Sequence, residues 1–227
     1  MILLAIDCSA NLCAACVYDT TKGKELGREV LDLGKGHAEH LMGVIADAMG
    51  QAGKTYLDLD TIAVSIGPGS FTGLRVGVAT ARGLALALKI PAVGVTTLEA
   101  LAAEARQVFP DRPVLAVLDG GRGEFHVALY DELAVLRYGP AVTSLENAAA
   151  MASGSAADPV LTGNAASRVA EAAGRVFDFG PHGATADIAV YVRLAAEKKP
   201  GEKPKPLYLR EADARPQAGF VLPRVEG

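Results

Sequence analysis

Tryptophan is absent from this 227-residue chain, aromatic residues make up only 5% of it, and the formal net charge is −4. A free-standing nucleic-acid-binding protein needs a basic surface, and commonly aromatic rings on which bases can stack. The composition therefore argues against direct nucleic-acid binding. If RNA is involved, we expect another protein to hold it.

Cysteine is also scarce, with three residues that all lie within the first sixteen positions. That number and that clustering do not fit a secreted disulfide framework and favour a reducing compartment, so we expect a cytoplasmic protein. No basic segment precedes the first apolar run, which Asp7 interrupts, and no export signal is predicted. The most apolar helical stretch, 74–88, contains two arginines and is shorter than the roughly 20 residues that cross a bilayer. We predict no membrane span.

Hydrophobic residues make up half of the chain and charged residues 21%. A chain of this length buries roughly 70% of the surface that its unfolded form exposes, so it can fold without disulfides or a structural metal. The length fits one large domain or two small ones.

Short apolar runs alternate with segments of helical period, which predicts an α/β fold. In the first half we predict strands over 2–6, 12–18, 62–66 and 92–95, a polar third strand after residue 24, and helices over 38–53, 74–88 and 98–108. In the second half, beyond the repeated strand pair described next, we predict strands over 133–138 and 160–164 and helices over 144–152, 165–173 and 184–198.

The opening of the chain is repeated. An apolar strand, a turn and a second apolar strand occur near residue 2 and again near residue 114. Asp119 lies 112 residues after Asp7, and Tyr130 lies 112 residues after Tyr18. Two similar lobes in tandem are therefore predicted, over 1–110 and 111–200. The lysine- and proline-rich remainder, 201–227, is predicted to be a linker and a tail, extended or mobile beyond residue 207.

Two repeats that each open with a hairpin whose first strand ends in Asp resemble the actin, hexokinase and Hsp70 class of ATP-binding folds. In that class the Asp holds the metal ion of the nucleotide. Asp7 and Ser9 are therefore weak candidates for cofactor binding, because the glycine expected between them is missing. The alternative is an Asp that caps a turn. The second loop, 119–124, ends in a carboxylate that would repel phosphate.

A glycine-rich loop at 67–73 lies between a predicted strand and a predicted helix. A helix N-terminus there could receive an anion, but Leu74 and Arg75 stand where a P-loop has Lys and a hydroxyl residue. A structural turn is favoured, with Gly69 and Gly73 required by the backbone.

No metal site is predicted. Cys13 and Cys16 are three residues apart in a strand, so their side chains face opposite sides of the sheet. His37 and His40 could share a helix face, but no third ligand follows at a fixed spacing, and a surface pair near the helix start is favoured.

The helix at 74–88 has small and apolar side chains on every side, so we expect every side to be covered by other parts of the protein or by a partner. One side of the helix can pack on its own sheet, and the other side needs another helix. The helix at 74–88 and the preceding helix could together form a patch that pairs with an equivalent patch of a second chain, as a four-helix bundle. The alternative is that the helix at 74–88 and the preceding helix cover only each other. The predicted partner-binding patch contains Leu41, Met42, Ile45, Met49, Arg75, Val76, Ala79, Arg82 and Gly83.

Several segments together resemble the TsaB family, bacterial subunits of tRNA threonylcarbamoyladenosine biosynthesis. The resemblance is continuous to about residue 130 and is carried by 7–9, 36–41, 66–77, 81–85, 96–100, 119–124 and 208–210. It implies a tandem pair of actin-like (ribonuclease H-like) lobes with mixed sheets flanked by helices, in a subunit without catalysis of its own.

The resemblance further implies pairing with the catalytic subunit TsaD, which transfers the threonylcarbamoyl group to N6 of adenosine 37 in tRNAs reading ANN codons. The ATPase TsaE would dock on that pair, a homodimer would form without TsaD, and ATP and metal would bind to the partner. TsaD holds its metal through His-x-x-x-His, whereas His37 and His40 are one residue too close, so no metal site is carried over. The alternative function is an active ATPase or small-molecule kinase of the same fold.

Overall fold

The computed structural model describes residues 1–154, 158–199 and 201–209, which form two mixed β-sheets with helices around them. The strands are β1 (Ile2–Asp7), β2 (Leu12–Asp19), β3 (Lys24–Asp32), β4 (Thr61–Gly67), β5 (Ala92–Thr96), β6 (Val114–Gly121), β7 (Glu124–Tyr130), β8 (Leu136–Thr143) and β9 (Val160–Thr162). The helices are α1 (His37–Ala52), α2 (Phe71–Leu88), α3 (Thr97–Ala105), α4 (Leu145–Gly154), α5 (Ala166–Ala173) and α6 (Ile188–Glu197).

The two sheets share the arrangement of four strands, and the first sheet has a fifth. The first has the order β3-β2-β1-β4-β5 and the second the order β8-β7-β6-β9. In each, the opening strand pairs antiparallel with the next strand and parallel with a later one. The predicted fold class is confirmed, because both halves repeat one mixed α/β unit.

Hydrogen-bonding side chains explain where predicted element boundaries were wrong. Ser70 accepts a hydrogen bond from the Gly73 N–H, so α2 begins at Phe71 rather than at 74. Asp187 caps α6 in the same way, so residues 184–187 precede the helix. Asp131 accepts hydrogen bonds from the N–H groups of Leu133 and Val135, which makes a turn of the segment predicted to begin β8.

Three hydrophobic clusters form the core. One lies between the first sheet and the pair α1 and α2, and a second lies between the second sheet and the pair α4 and α5. The largest contains residues of both sheets together with α3 and α6. Helix α6 comes late in the chain and packs against β1 and β2, so the two halves share one interior.

The strand pairing corrects the predicted alignment of the repeats. Leu4 and Leu115 occupy corresponding faces of β1 and β6, which makes their offset 111, whereas β2 and β7 keep the offset of 112. The turn of the second hairpin has the extra residue, where the register shifts between Asp119 and Gly121. Leu118 therefore corresponds to Asp7, and Asp119 faces α5 on the other side of the sheet.

The division into lobes of residues 1–110 and 111–200 stays a prediction. Residues 201–209 run back along the first sheet, where the Leu207 N–H donates to the Ile66 carbonyl oxygen at 2.7 Å. The rest of the predicted tail, 210–227, lies outside the described residues.

Helix α2, at 18 residues and a mean hydropathy of 1.2, is long and apolar enough to cross a membrane by length and composition, which the shorter predicted helix was not. Its two ends, however, join the neighbouring parallel strands β4 and β5. A crossover helix of this kind packs along its sheet, so the structure gives α2 the geometry of a soluble βαβ unit.

Candidate functional site

The outer faces of α1 and α2 form an exposed surface with many small and apolar residues. These are Ala38, Met42, Gly43, Ala46 and Gly50 on α1 and Ala79, Gly83, Leu86 and Ala87 on α2, and they lie beside the exposed polar residues Glu39, His40, Asp47, Gln51, Thr72, Arg75 and Arg82. Met42 is 50% exposed and Leu86 is 76% exposed. The two helices therefore do not cover each other's outer faces, and we call this surface the helix face.

Part of the predicted partner-binding patch lies elsewhere. Leu41, Ile45 and Met49 are buried in the core between α1 and the first sheet, so they cannot contact a partner across this surface. Their four-residue spacing is that of an amphipathic helix, as predicted, but it marks the side that faces the sheet. Val76 is half-buried beside the same core.

The remaining patch residues, Met42, Arg75, Ala79, Arg82 and Gly83, are exposed, as a docking role requires. That role stays a prediction.

Three helical glycines on this surface have no reason within the chain to be glycine. A Cβ atom added at Gly43, Gly50 or Gly83 would meet nothing within 4 Å. A glycine inside a helix costs about 1 kcal/mol relative to alanine. The packing of the described residues therefore does not require these glycines, and the space above them is open.

Asp7 lies in a buried hydrogen-bonded network and not in an open site. Its exposed fraction is 1%, one carboxylate oxygen accepts from the Ser9 N–H at 2.8 Å, and the other accepts from the Thr185 hydroxyl at 2.6 Å. The Thr185 hydroxyl also lies 2.6 Å from the Tyr191 hydroxyl. Asp7 therefore joins β1 to the start of α6, which favours the structural alternative, and its candidacy as a cofactor ligand stays a prediction.

Burial raises the pKa of Asp7 above its usual value, while the hydrogen bonds from Thr185 and Ser9 oppose that rise. Ser9 is buried as well, at 2% exposed. Its hydroxyl donates to Thr185 at 3.3 Å, so this weak cofactor candidate also belongs to the network.

The glycine-rich loop is closed by the first hairpin. A Cβ atom at Gly69 would overlap the Ser9 carbonyl oxygen, and one at Gly73 would overlap that of Cys8. The Ser70 N–H donates to the Ser9 carbonyl oxygen at 2.6 Å, so it is not free to bind phosphate. Backbone packing thus accounts for both glycines, as the sequence predicted.

A cavity of about 270 Å³ remains between the loops of the two halves, lined by residues that include Asn11, Ser70, Asp119 and Asn164. Asp119 is held by an ion pair with Arg168 at 2.6 Å, and the Asp119 N–H donates to the side chain of Asn164. Asp7 is not part of the lining. The predicted cofactor candidate Asp7 therefore does not reach this cavity, whereas Ser9 is among its lining residues.

Among residues 1–154, 158–199 and 201–209, no group of three or more His, Cys, Asp or Glu side chains could hold a metal ion. Cys13 and Cys16 lie in different core clusters, on opposite faces of β2, as predicted. His37 is buried, with its Nε2 3.2 Å from the Leu12 carbonyl oxygen, whereas His40 is exposed. The predicted surface pair of histidines was therefore wrong for His37.

Sequence reasoning missed two long-range arrangements. Thr185 and Tyr191 complete the environment of Asp7, and Tyr208 accepts a hydrogen bond from the Arg75 Nε at 3.0 Å. The Arg75 guanidinium also stacks over the Phe71 ring, 4.0 Å from its centroid. Nothing local in the sequence signals either arrangement, because the partners lie more than one hundred residues apart.

Comparison with known protein families gives a match over residues 32–193 to TsaD: tRNA N6-adenosine threonylcarbamoyltransferase. Among curated proteins, the tRNA threonylcarbamoyladenosine biosynthesis protein TsaB of Escherichia coli is 33% identical over 57% of this chain and 55% of its own. The protein of the same name from Bacillus subtilis is 34% identical over the same shares. The chain spans little more than half the length of these curated relatives.

Among solved structures, a Pseudomonas aeruginosa protein described as similar to peptidase YEAZ has a TM-score of 0.78 and 27% identity. The match covers 92% of this chain and 99% of that one. The ethanolamine utilization protein EutJ of Carboxydothermus hydrogenoformans has a TM-score of 0.51 at 12% identity, which is a likeness of fold alone.

Two glycines of α2 give opposite predictions for the same substitution. Gly73→Ala should lower the free energy of unfolding by about 1–3 kcal/mol, because the new Cβ overlaps the Cys8 carbonyl oxygen. Gly83→Ala should raise it by about 1 kcal/mol, because the space there is open and alanine favours helix. Urea denaturation followed by circular dichroism measures both. Equal effects of the two substitutions would contradict the seating of α2 on the hairpin.

The buried carboxyl of Asp7 predicts a pH-dependent difference between the wild type and Asp7→Asn. With its pKa raised on folding, Asp7 contributes stability below its unfolded pKa of about 3.8, and that contribution is lost as the pH rises toward the folded pKa. Asp7→Asn does not titrate, so its stability relative to the wild type should increase as the pH rises from 4 to 8. Denaturation curves across this range test the sign, and a constant difference would contradict it.

Proposed function

The chain belongs to the TsaD family of tRNA N6-adenosine threonylcarbamoyltransferases, and from that membership we propose that it is a non-catalytic scaffold subunit of tRNA threonylcarbamoyladenosine biosynthesis. Its partner is a TsaD-type catalytic subunit, which transfers the threonylcarbamoyl group to N6 of adenosine 37 in tRNAs that read ANN codons. The pairing takes place in the cytoplasm. The resemblance to the TsaB proteins of Escherichia coli and Bacillus subtilis supports this process.

The observation that carries the proposal is the helix face. Two adjacent helices expose small and apolar residues, with open space at Gly43 and Gly83. Small residues let a second helix pair approach closely, and four helices packed in this way form a bundle with a continuous core. Without its partner, the chain pairs with a second copy through the same surface.

Catalysis belongs to the partner in this proposal. Asp7 is sealed by Ser9 and Thr185, and the glycine-rich loop is closed by the Ser9 carbonyl oxygen, so ATP and metal bind on the TsaD-type subunit. A TsaE-type ATPase docks on the pair. With its net charge of −4, the chain meets tRNA only through the complex.

An active ATPase or small-molecule kinase of the same fold is the second candidate, and the cavity of about 270 Å³ between the two loops favours it. A catalytic base on a bound hydroxyl would be needed there. Asp119 lines the cavity, but its ion pair with Arg168 opposes such a role.

Size-exclusion chromatography with light scattering separates the two candidates. The chain is run alone and mixed with a TsaD-type subunit, and ATP hydrolysis is measured in every fraction. A homodimer that exchanges into a 1:1 heterodimer, with no hydrolysis by the chain alone, supports the scaffold. A chain that ignores the TsaD-type subunit and turns over ATP by itself supports the enzyme.

Gly83→Arg should abolish heterodimer formation, because a long charged side chain then stands where the partner helix approaches. The matched control is Ala172→Arg, at an exposed position on α5 in the other half. Both variants should still unfold in one cooperative thermal transition, without a loss of stability at Gly83, and the control should still form the heterodimer. Unchanged pairing by a folded Gly83→Arg protein would refute the docking role of the helix face.

A further inference from the structure

The described end of the chain forms a fixed strap beside α2. Pro204 is buried next to Gly94 of β5, and the Leu207 N–H donates to the Ile66 carbonyl oxygen of β4 at 2.7 Å. Further along, the Tyr208 ring packs against Phe71 with centroids 5.2 Å apart, and its hydroxyl accepts from Arg75. We call residues 201–209 the strap, and these contacts attach it to both β4 and α2.

A groove of about 520 Å³ lies between the strap and the C-terminal half of α2. Its apolar lining includes Ala85, Leu86, Ile90 and Pro204. Leu86 is 76% exposed, so the groove offers apolar surface that nothing in the described chain covers. It is continuous with the helix face, since Gly83 and Leu86 belong to both.

The groove also carries positive charge that the described residues do not neutralise. Arg82, Lys89 and Lys203 line it and are exposed, and among the described residues none of them has a carboxylate within ion-pair distance. Two other lysines of this part of the chain are paired, Lys198 with Glu99 and Lys205 with Glu202. In a chain with more acidic than basic residues, three cations that the described residues leave unpaired around one apolar groove are a local excess.

This combination favours one kind of occupant. Among the residues that the structure describes, no aromatic side chain lines the groove, so these residues offer no surface on which a nucleobase could stack. An apolar floor with cations at its rim complements a protein segment that has apolar residues on one side and carboxylates on the other.

We propose that the groove between α2 and the strap binds an acidic, apolar-sided segment of the protein that docks on the helix face. The interface then extends from the helices onto the C-terminal part of the chain. This inference rests on the proposed function, because the docking protein is the TsaD-type subunit. The helix face supplies close packing, and the groove supplies the electrostatic contribution and the orientation.

The test reverses two charges that belong to the groove and not to the helix face. Lys89→Glu/Lys203→Glu should weaken binding to a TsaD-type subunit about tenfold at low salt, because opposed charges at an interface rim become like charges. The difference from the wild type should shrink at about 0.5 M salt, where such charges are screened. The matched control is Lys24→Glu/Lys35→Glu, which makes the same change in net charge at exposed positions elsewhere.

Isothermal titration calorimetry at two salt concentrations, with the TsaD-type subunit as the probe, separates the outcomes. Weakening by the groove variant but not by the control supports the proposal. Equal affinities of the groove variant and the wild type overturn the groove proposal but do not affect the proposal that the helix face is a docking surface. Equal weakening by the groove variant and the control overturns the groove proposal as well. A wild type that does not bind the TsaD-type subunit refutes the proposed function itself.

Discussion

The contact between the first hairpin and the start of α2 determines how the rest of the molecule is arranged. Gly73 lets the helix backbone lie against the Cys8 carbonyl oxygen, and Gly69 does the same for the loop at Ser9. This contact closes the glycine-rich loop against phosphate. Because it also sets which side of α2 meets the sheet, it leaves the opposite side, with Ala79 and Gly83, exposed to solvent.

The sequence predicted the fold well because strand and helix periodicities are local and the repeat is internal. The repeat, however, was aligned without a gap, and this made Asp119 the counterpart of Asp7. Only the strand pairing shows that the turn after Leu118 holds one more residue. In a strand a shift of one residue exchanges the two faces, so the two aspartates face opposite sides and have unrelated partners.

The candidate site was harder to predict than the fold. Hydrophobic periodicity selects the side of a helix that is buried in its own chain, and Leu41, Ile45 and Met49 are therefore core residues. The exposed side of α1 and α2 differs from the buried side by its small residues. Whether such a residue serves internal packing or an outer surface depends on whether the chain itself fills the space above it. Gly73 and Gly83 look alike in sequence, yet one is required by the backbone and the other faces open space. The partners of Asp7 and Arg75 could not be predicted, because only tertiary structure brings Thr185 and Tyr208 to them.

The position of α6 has a consequence for biosynthesis. This helix packs against β1 and β2, and Tyr191 completes the hydrogen-bonded network of Asp7, although the strands leave the ribosome long before the helix does. At translation rates of about 5–20 residues per second, Leu3 and Ala5 lack their final cover for roughly ten seconds or more. In the nascent chain this face of the first sheet therefore stays without α6 until residue 197 has been made.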